Sequence, residues 1–521
     1  MSKPAAIAGR TEGQPRDAAS LPEGEPRRIT RASRIGRWLG PVLAVAAWFL
    51  LPEGLTPGGR ATAAVAALLA TWWVTEALPL PVTGLVPIVA LPLTGATDLE
   101  SATAPYANPI IALVLGGFLI ALATQRWGLH RRVALLTIRA VGTRPRRLVG
   151  GFMLATAGLS MWLSNTATTV MMLPIAVSVL VLVADRVGAS ATSSGTAVDG
   201  EAATERFATA LLLGTAYAAS IGSLATLIGT PPNAFLAGFL RQNYGIELGF
   251  ARWMAFGLPL SAVMLVITWV LLTRWLERPE VDDVPGGREM IDRELAALGP
   301  ITRGERMVLA VFLTTATLWV LRAPLQSLFA GTPLAAIDDP IIAIAAAVTL
   351  FLLPVNARKG VFVLDWRTAK GLPWDVLLLF GGGLSLAAAL RANEVDTFIG
   401  EQLAGLGGMR FVLLIGVLVG VVIVLTELTS NTATAATLIP VAAGVAIALG
   451  MDPLLLTVPV ALAATCAFSL PVATPPNAIV FGSGRVTIGR MVRAGIVINV
   501  VGLALITLTV VLLAGPILGA G

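Results

Sequence analysis

One polar pattern occurs twice in this chain, and it limits the fold more than any other feature. Ser164-Asn165-Thr166-Ala167-Thr168 returns as Ser430-Asn431-Thr432-Ala433-Thr434, and Thr-Pro-Pro-Asn-Ala follows each copy, at 230–234 and 474–478. Around these motifs the chain is lipid-soluble: 56% of its 521 residues are apolar, 13% are charged, and mean hydropathy is +0.83. That balance excludes a water-soluble globular protein and implies an integral membrane protein. Hydroxyls, carboxamides and helix-breaking prolines are costly in hydrocarbon unless they line a cavity or hold a ligand. A polar site built twice points to transport.

Apolar runs near the roughly 20 residues that span a bilayer predict eleven crossings. They fall near 38–54, 60–77, 80–96, 107–128, 206–240, 254–276, 305–329, 339–355, 373–393, 454–482 and 488–517. Two further apolar segments, 148–184 and 409–449, carry the Ser-Asn-Thr motif at their middles and read as re-entrant hairpins. The expected fold is therefore all-α and integral to the membrane.

The duplication extends beyond the motifs. From Ser164 to Ser430 the spacing is 266, and it also relates Gly116-Gly117 to Gly382-Gly383, Ser160 to Thr426, and Pro174 to Pro440. At Thr-Pro-Pro-Asn-Ala the spacing is 244, so the first half holds 22 extra residues, assigned to a polar loop over 185–206. Each half then has five crossings and one hairpin. Five is odd, so the halves enter from opposite sides, as inverted repeats do. The divisions expected are a disordered cytoplasmic tail at 1–36, a first helix at 37–58, repeat 1 at 59–276, a linker at 277–304 and repeat 2 at 305–517. Within the linker, Met290, Ile291, Leu295, Ala296 and Leu298 suit an interfacial helix, and a solvated connection fits equally.

The formal charge of +6 does not imply a nucleic-acid partner, because the basic residues lie between apolar spans. Arg126, Arg131, Arg132, Arg139, Arg144, Arg146 and Arg147 share one connection; Arg358, Lys359, Arg367 and Lys370 share another; Arg485, Arg490 and Arg493 a third. The positive-inside rule puts all three in the cytoplasm, with the N-terminus inside and the C-terminus outside the cell (inner) membrane. The first residues lack the pattern of a signal peptide. A single cysteine, Cys466, excludes an intrachain disulfide, and a single histidine, His130, excludes a cluster of histidine ligands. Cys466 reads as buried packing and His130 as part of the basic edge.

At a hairpin tip, Ser, Asn and Thr side chains can simply cap two helix ends. The same atoms also suit ligands: side-chain and freed carbonyl oxygens favour an alkali cation, while hydroxyls, the Asn amide and helix N-terminal amides favour a carboxylate. A bound cation offsets the anion's charge in low dielectric, which couples the two. Paired prolines at 231–232 and 475–476 remove amide donors and predict a broken helix in each half. Glu427, opposite Met161 of the first hairpin, reads as a brace accepting hydrogen bonds, with a functional carboxylate as the alternative. Glu76 reads as a solvated end, and Trp162 and Trp374 as packing or interfacial residues. A membrane-embedded enzyme would need a His pair, a nucleophile with its base or paired intramembrane aspartates, none of which stands out. A channel does not need mirrored broken helices.

Around these motifs the chain resembles the divalent anion/sodium symporter family, the sodium-coupled di- and tricarboxylate transporters. The resemblance rests on Leu163–Thr168, Gly229–Asn233, Thr426–Thr432 and above all Phe468–Val480, and spans about 38–517. Thr465 stands where the family signature usually has Ser. The resemblance implies a homodimer in which a fixed scaffold supports a transport domain, carrying both hairpins, that moves as an elevator. It implies Na+ as the coupling ion with no organic cofactor, one ion near Ser160, Ser164, Asn165 and Gly229 and another near Thr426, Thr429, Asn431 and Ala473. Substrate carboxylates would meet Ser164, Asn165, Thr166, Ser430, Asn431 and Thr432, with Thr230, Pro231, Thr474 and Pro475 completing the pocket. The function expected is sodium-driven symport of a di- or tricarboxylate, with a C4-dicarboxylate such as succinate favoured. Sodium-independent exchange, or transport of citrate, sulfate or another divalent anion, is the alternative on the same scaffold.

Overall fold

A computed structural model describes residues 30–51, 54–194, 197–279, 286–402 and 409–519, with the backbone alone considered across 185–201. Helices dominate because backbone groups in hydrocarbon must find their partners within the segment. The chain opens with α1 (Arg31–Leu50) and α2 (Pro57–Thr75), capped by the hydroxyls of Thr30 and Thr56. They run antiparallel at close range: a Cβ on Gly36 would fall 1.9 Å from Thr75 Oγ1. Residues 31–36, expected to be disordered, are thus helical. Thr30 caps the helix, and Ser33 and Arg37 both donate to the Ala77 carbonyl, Arg37 at 3.0 Å. Residues 1–29 of the expected tail lie outside the described residues.

The crossing expected at 80–96 is broken into two short helices, α3 (Leu80–Thr83) and α4 (Val86–Leu93). Prolines 79, 81 and 87 interrupt the ladder. Gly84 sits at the break because a Cβ there would meet the Leu378 carbonyl at 2.8 Å. After α5 (Leu99–Thr103) come α6 (Pro109–Arg126) and α7 (Leu129–Val141). The first hairpin follows as α8 (Pro145–Ser160) and α9 (Asn165–Ser194), then a broken helix, α10 (Ala197–Ser223) and α11 (Pro231–Tyr244), and α12 (Phe250–Leu271), which a π-turn extends to Leu276. The loop expected over 185–206 is therefore mostly a continuation of α9 and α10. Its Ser and Gly suggested a linker, but its alanines and charged residues are helix formers.

The linker holds α13 (Gly287–Ala297), with Ile291 buried; residues 280–285 lie outside the described residues. Then come α14 (Arg303–Leu328), α15 (Asp339–Leu352), a small antiparallel pair β1 (Pro354–Asn356) and β2 (Val361–Phe362), α16 (Trp366–Ala369), α17 (Trp374–Ala392) and α18 (Val395–Gln402). The second hairpin is α19 (Phe411–Leu428) and α20 (Asn431–Ala448), the second broken helix α21 (Leu454–Ala464) and α22 (Pro475–Gly482), and the last helix α23 (Ile488–Leu513). The duplication carries through to the elements: α8 and α19 begin 266 residues apart, as do α9 and α20, while α11 and α22 begin 244 apart. Among the described residues, eight helices are long and apolar enough to cross a membrane, three of them arms of the hairpins.

Ion pairs collect the basic connections on one face. Arg126 at the end of α6 meets Asp365, just ahead of α16, at 2.7 Å. Arg131 and Arg139 of α7 meet Glu294 and Asp292 of α13 at 2.5 and 2.8 Å, and Arg490 at the start of α23 lies 3.8 Å from Glu277 at the end of α12. Partial burial pushes the Asp365 carboxyl up, but the Thr368 N–H and hydroxyl together with Arg126 outweigh it and hold the group below the usual range. On the opposite face Arg241 and Arg322 converge on Asp338, and Arg252 reaches the Ile517 carbonyl at 2.9 Å.

Candidate functional site

Each hairpin tip is a short turn closed by its own motif. In the first, Ser160 Oγ donates to Asn165 Oδ1 at 2.7 Å, and Ser164 Oγ accepts the Ala167 N–H at 3.3 Å as a helix cap. Asn165 Nδ2 then donates to Ser223 Oγ at 3.4 Å, tying the tip to the end of α10. In the second, the Thr426 hydroxyl lies 2.9 Å from Asn431 Oδ1 and 2.7 Å from the Ala464 carbonyl at the end of α21. Its single proton serves one of the two at a time. The same hydroxyl–carboxamide pair therefore sits beside the end of a broken helix in both halves.

The breaks are built as alike as the tips. Pro231 and Pro475 occupy the first helical position, where a missing N–H costs nothing. Ahead of them the backbone is held by the last polar residue of each motif. Asn233 Nδ2 faces the carbonyls of Ser223, Leu224 and Thr226 at 3.3, 3.4 and 2.9 Å, while Asn477 Nδ2 faces those of Ala467 and Leu470 at 3.2 and 3.0 Å. Gly229 lies so close to the first break that a Cβ would meet the Ser223 carbonyl at 2.5 Å.

Tip and break are also braced, by different chemistry in the two halves. In the first, Thr226 Oγ1 donates to the Met161 carbonyl at 2.5 Å and accepts the Gly229 N–H at 3.0 Å. In the second, the Glu427 carboxylate accepts the N–H groups of Phe468, Ser469 and Leu470 at 2.8, 2.7 and 3.0 Å and Asn499 Nδ2 at 2.6 Å. Glu427 is the brace its sequence context suggested. Four charge-assisted donors occupy the carboxylate.

The halves meet crosswise. Helix α9, which starts at the first tip, packs on α22 behind the second break, and α20 packs on α11. Thr230 Oγ1 and Thr465 Oγ1 lie 3.3 Å apart, joining one break to the other. Four helix N-termini, at Asn165, Pro231, Asn431 and Pro475, thus gather with their partial positive charge. The candidate residues form two layers. Ser160, Gly229, Thr426 and Ala473 are buried, with Thr230, Thr432 and Thr474, whereas Asn165, Pro231, Ser430 and Asn431 are half-buried and Ser164, Thr166 and Pro475 exposed. The Thr429 hydroxyl is turned to the Leu425 carbonyl and Thr434 Oγ1, at 2.9 and 2.6 Å. No Lys or Arg belongs to these motifs.

Several contributors escaped the sequence reading. Asn233 and Asn477 were in plain view within the duplicated motif. Ser220, whose buried hydroxyl has no partner among the described residues, and Ser223 lie one helix away with no duplicate hydroxyl to flag them. Asn499 offers the weakest signal, a polar residue in the apolar run of α23. Elsewhere, Trp162 packs on Phe250, Phe312 and Trp319, Cys466 is fully buried, and Glu76 is exposed at the end of α2. His130 stands at the basic edge with Nδ1 3.0 Å from the Thr124 carbonyl, yet is buried.

Comparison with known proteins decides the lineage. Residues 35–520 match the family described as the sodium:sulfate symporter transmembrane region. The chain belongs to that family. Its members are transporters, not enzymes. Sodium-dependent dicarboxylate transporter SdcS of Staphylococcus saprophyticus is 40% identical over 490 residues, 93% of this chain and 92% of the relative. SdcS of Staphylococcus aureus strain USA300 is 40% identical over 487 residues with the same coverage. Among solved structures, the YdaH transporter of Alcanivorax borkumensis aligns with a TM-score of 0.57 at 15% identity, over 85% of this chain and 97% of that one. MtrF of Neisseria gonorrhoeae aligns at 0.54 and 14%, over 92% and 97%. At such identities these two bear on the fold alone.

Proposed function

We propose that this protein is a sodium-coupled symporter of a C4-dicarboxylate such as succinate, working by elevator-type alternating access. The 40% identity to sodium-dependent dicarboxylate transporters supports the substrate class and the coupling ion. One observation carries the mechanism: hydroxyl–carboxamide oxygen pairs at 160/165 and 426/431, each beside the end of a broken helix and beneath a more open layer of donors. Neutral oxygen donors of this kind fit a hard monovalent cation, by extension from the oxygen preference of calcium and magnesium. One sodium is held by Ser160, Ser164, Asn165 and Gly229, the other by Thr426, Thr429, Asn431 and Ala473. The carboxylates lie on Ser164, Asn165, Thr166, Thr230, Ser430, Asn431, Thr432 and Thr474, at helix N-termini that open with Pro231 and Pro475. Each sodium lowers the cost of holding a dianion where no basic side chain is present, and each carboxylate in turn strengthens the sodium sites.

In this reading the basic face is cytoplasmic, the start of α1 lies inside and the end of α23 outside the inner membrane. Repeats 59–276 and 305–517 are inverted, which accords with α6 ending at the face where α17 begins, across the Arg126–Asp365 pair. Each hairpin enters and leaves on its own side, the two from opposite faces of the membrane, and the protein works as a homodimer. The decisive test is succinate uptake by proteoliposomes under an inward sodium gradient. Equal flux with choline in place of sodium rejects coupling, and preference for sulfate or citrate over succinate in competition rejects the substrate.

A further inference from the structure

On the basic face, apart from the twin-motif cradle, a recess of about 590 Å³ opens between the end of α12, the lower turns of α10 and the first turns of α23. Its lining includes Arg206, Arg278, Arg490 and Arg493, with Trp275 and Thr487 beside them and Glu277 as the acid among the lining residues. Arg490 is engaged by Glu205 at 2.9 Å, by Glu277 at 3.8 Å and by the Thr209 hydroxyl at 3.1 Å. Counting Glu205 as well, four arginines face two carboxylates among the described residues. Arg278 and Arg493 are exposed and form no ion pair with a described residue.

The recess also has an apolar side. Trp275, 76% exposed, stands where the apolar run of α12 gives way to Glu277 and Arg278, the level at which an indole ring settles between hydrocarbon and headgroups. Surplus positive charge next to such a ring suits an anion tethered to acyl chains better than a free one. We propose that this recess binds the headgroup phosphate of an anionic phospholipid. The Arg278 and Arg493 guanidiniums engage the phosphate oxygens, the first N–H groups of α23 add their dipole, and Trp275 lies along the glycerol and upper acyl region. Arg490, pinned by its acids, holds the ends of α10, α12 and α23 together around the ligand. The inference is independent of substrate and coupling ion.

The test uses the purified full-length protein in nonionic detergent, titrated with phosphatidylglycerol, phosphatidylcholine or inorganic phosphate while thermal unfolding is followed. Phosphatidylglycerol is expected to raise the unfolding temperature by about 4 °C, and the other two to leave it unchanged. In an Arg278→Gln/Arg493→Gln variant the apparent phosphatidylglycerol affinity falls about thirtyfold, the loss of two interfacial charges. An equal response to phosphatidylcholine, or an undiminished response in the variant, overturns the site. A full response to inorganic phosphate overturns the lipid assignment in favour of a soluble anion. Should the double variant not fold, Trp275→Ser at an exposed position gives a second reading. A weakened phosphatidylglycerol response supports the proposal and an unchanged one removes it.

Discussion

In both Asn165 and Asn431 the carboxamide oxygen faces a hydroxyl, and in Asn165 the nitrogen also reaches Ser223. Replacing either with Ala removes a proposed sodium ligand and a proposed carboxylate donor together. Each variant is expected to lose succinate uptake, with sodium affinity down by about tenfold or more; full activity in either would remove that residue from the site. Glu427 predicts a different failure. In Glu427→Leu, three backbone amides and Asn499 lose their acceptor in a buried place, at about 1–3 kcal/mol for each donor left unpaired. A marked fall in unfolding temperature, with or without sodium, is the expected outcome, and an unchanged one would show that the carboxylate braces nothing. The duplicated residues were legible because two copies of a costly pattern stand out against apolar sequence. Glu427 was legible as a brace but its partners were not, since Phe468–Leu470 and Asn499 lie 41 to 72 residues away along the chain.

At the scale of the element, the helix breaks were written into the paired prolines, and each second half-helix begins at the first of them. What prolines alone do not convey is how tightly the freed backbone folds back. Gly229 shows this, since its missing side chain lets the first break approach Ser223. In Gly229→Ala the new methyl meets a backbone carbonyl that cannot swing away. The expected result is a correctly inserted protein whose uptake has lost its sodium dependence or its activity; wild-type sodium-driven uptake would show that the break tolerates the shift. Two elements differ in form from what their sequence suggests, for opposite reasons. At 185–206 small polar residues looked like a loop, yet local helix propensity with no proline lets α9 and α10 run on. At 80–96 apolar composition looked like one span, yet prolines and close contact with Leu378 cut it into α3 and α4.

For the whole molecule, the distribution of arginines predicts sidedness and can be checked with one reagent. The chain has a single, fully buried cysteine, so a Cys466→Ala background is blank to an impermeant maleimide. Cysteines placed at Arg358 and Arg485 should react only from the cytoplasm and one at Thr332 only from outside. Labelling of all three from one side would overturn the topology.

Taken alone, the sequence determined that this chain is helical and membrane-embedded, that its halves repeat, and which polar residues belong to the repeat. Those properties are local: hydropathy, proline and motif spacing act over a few turns. Tertiary structure decided that tip and break of each half join, that the halves meet crosswise through Thr230 and Thr465, and that Glu427 is spent on bracing. These depend on which backbones approach closely enough to share a hydrogen bond, and packing between distant segments sets that distance.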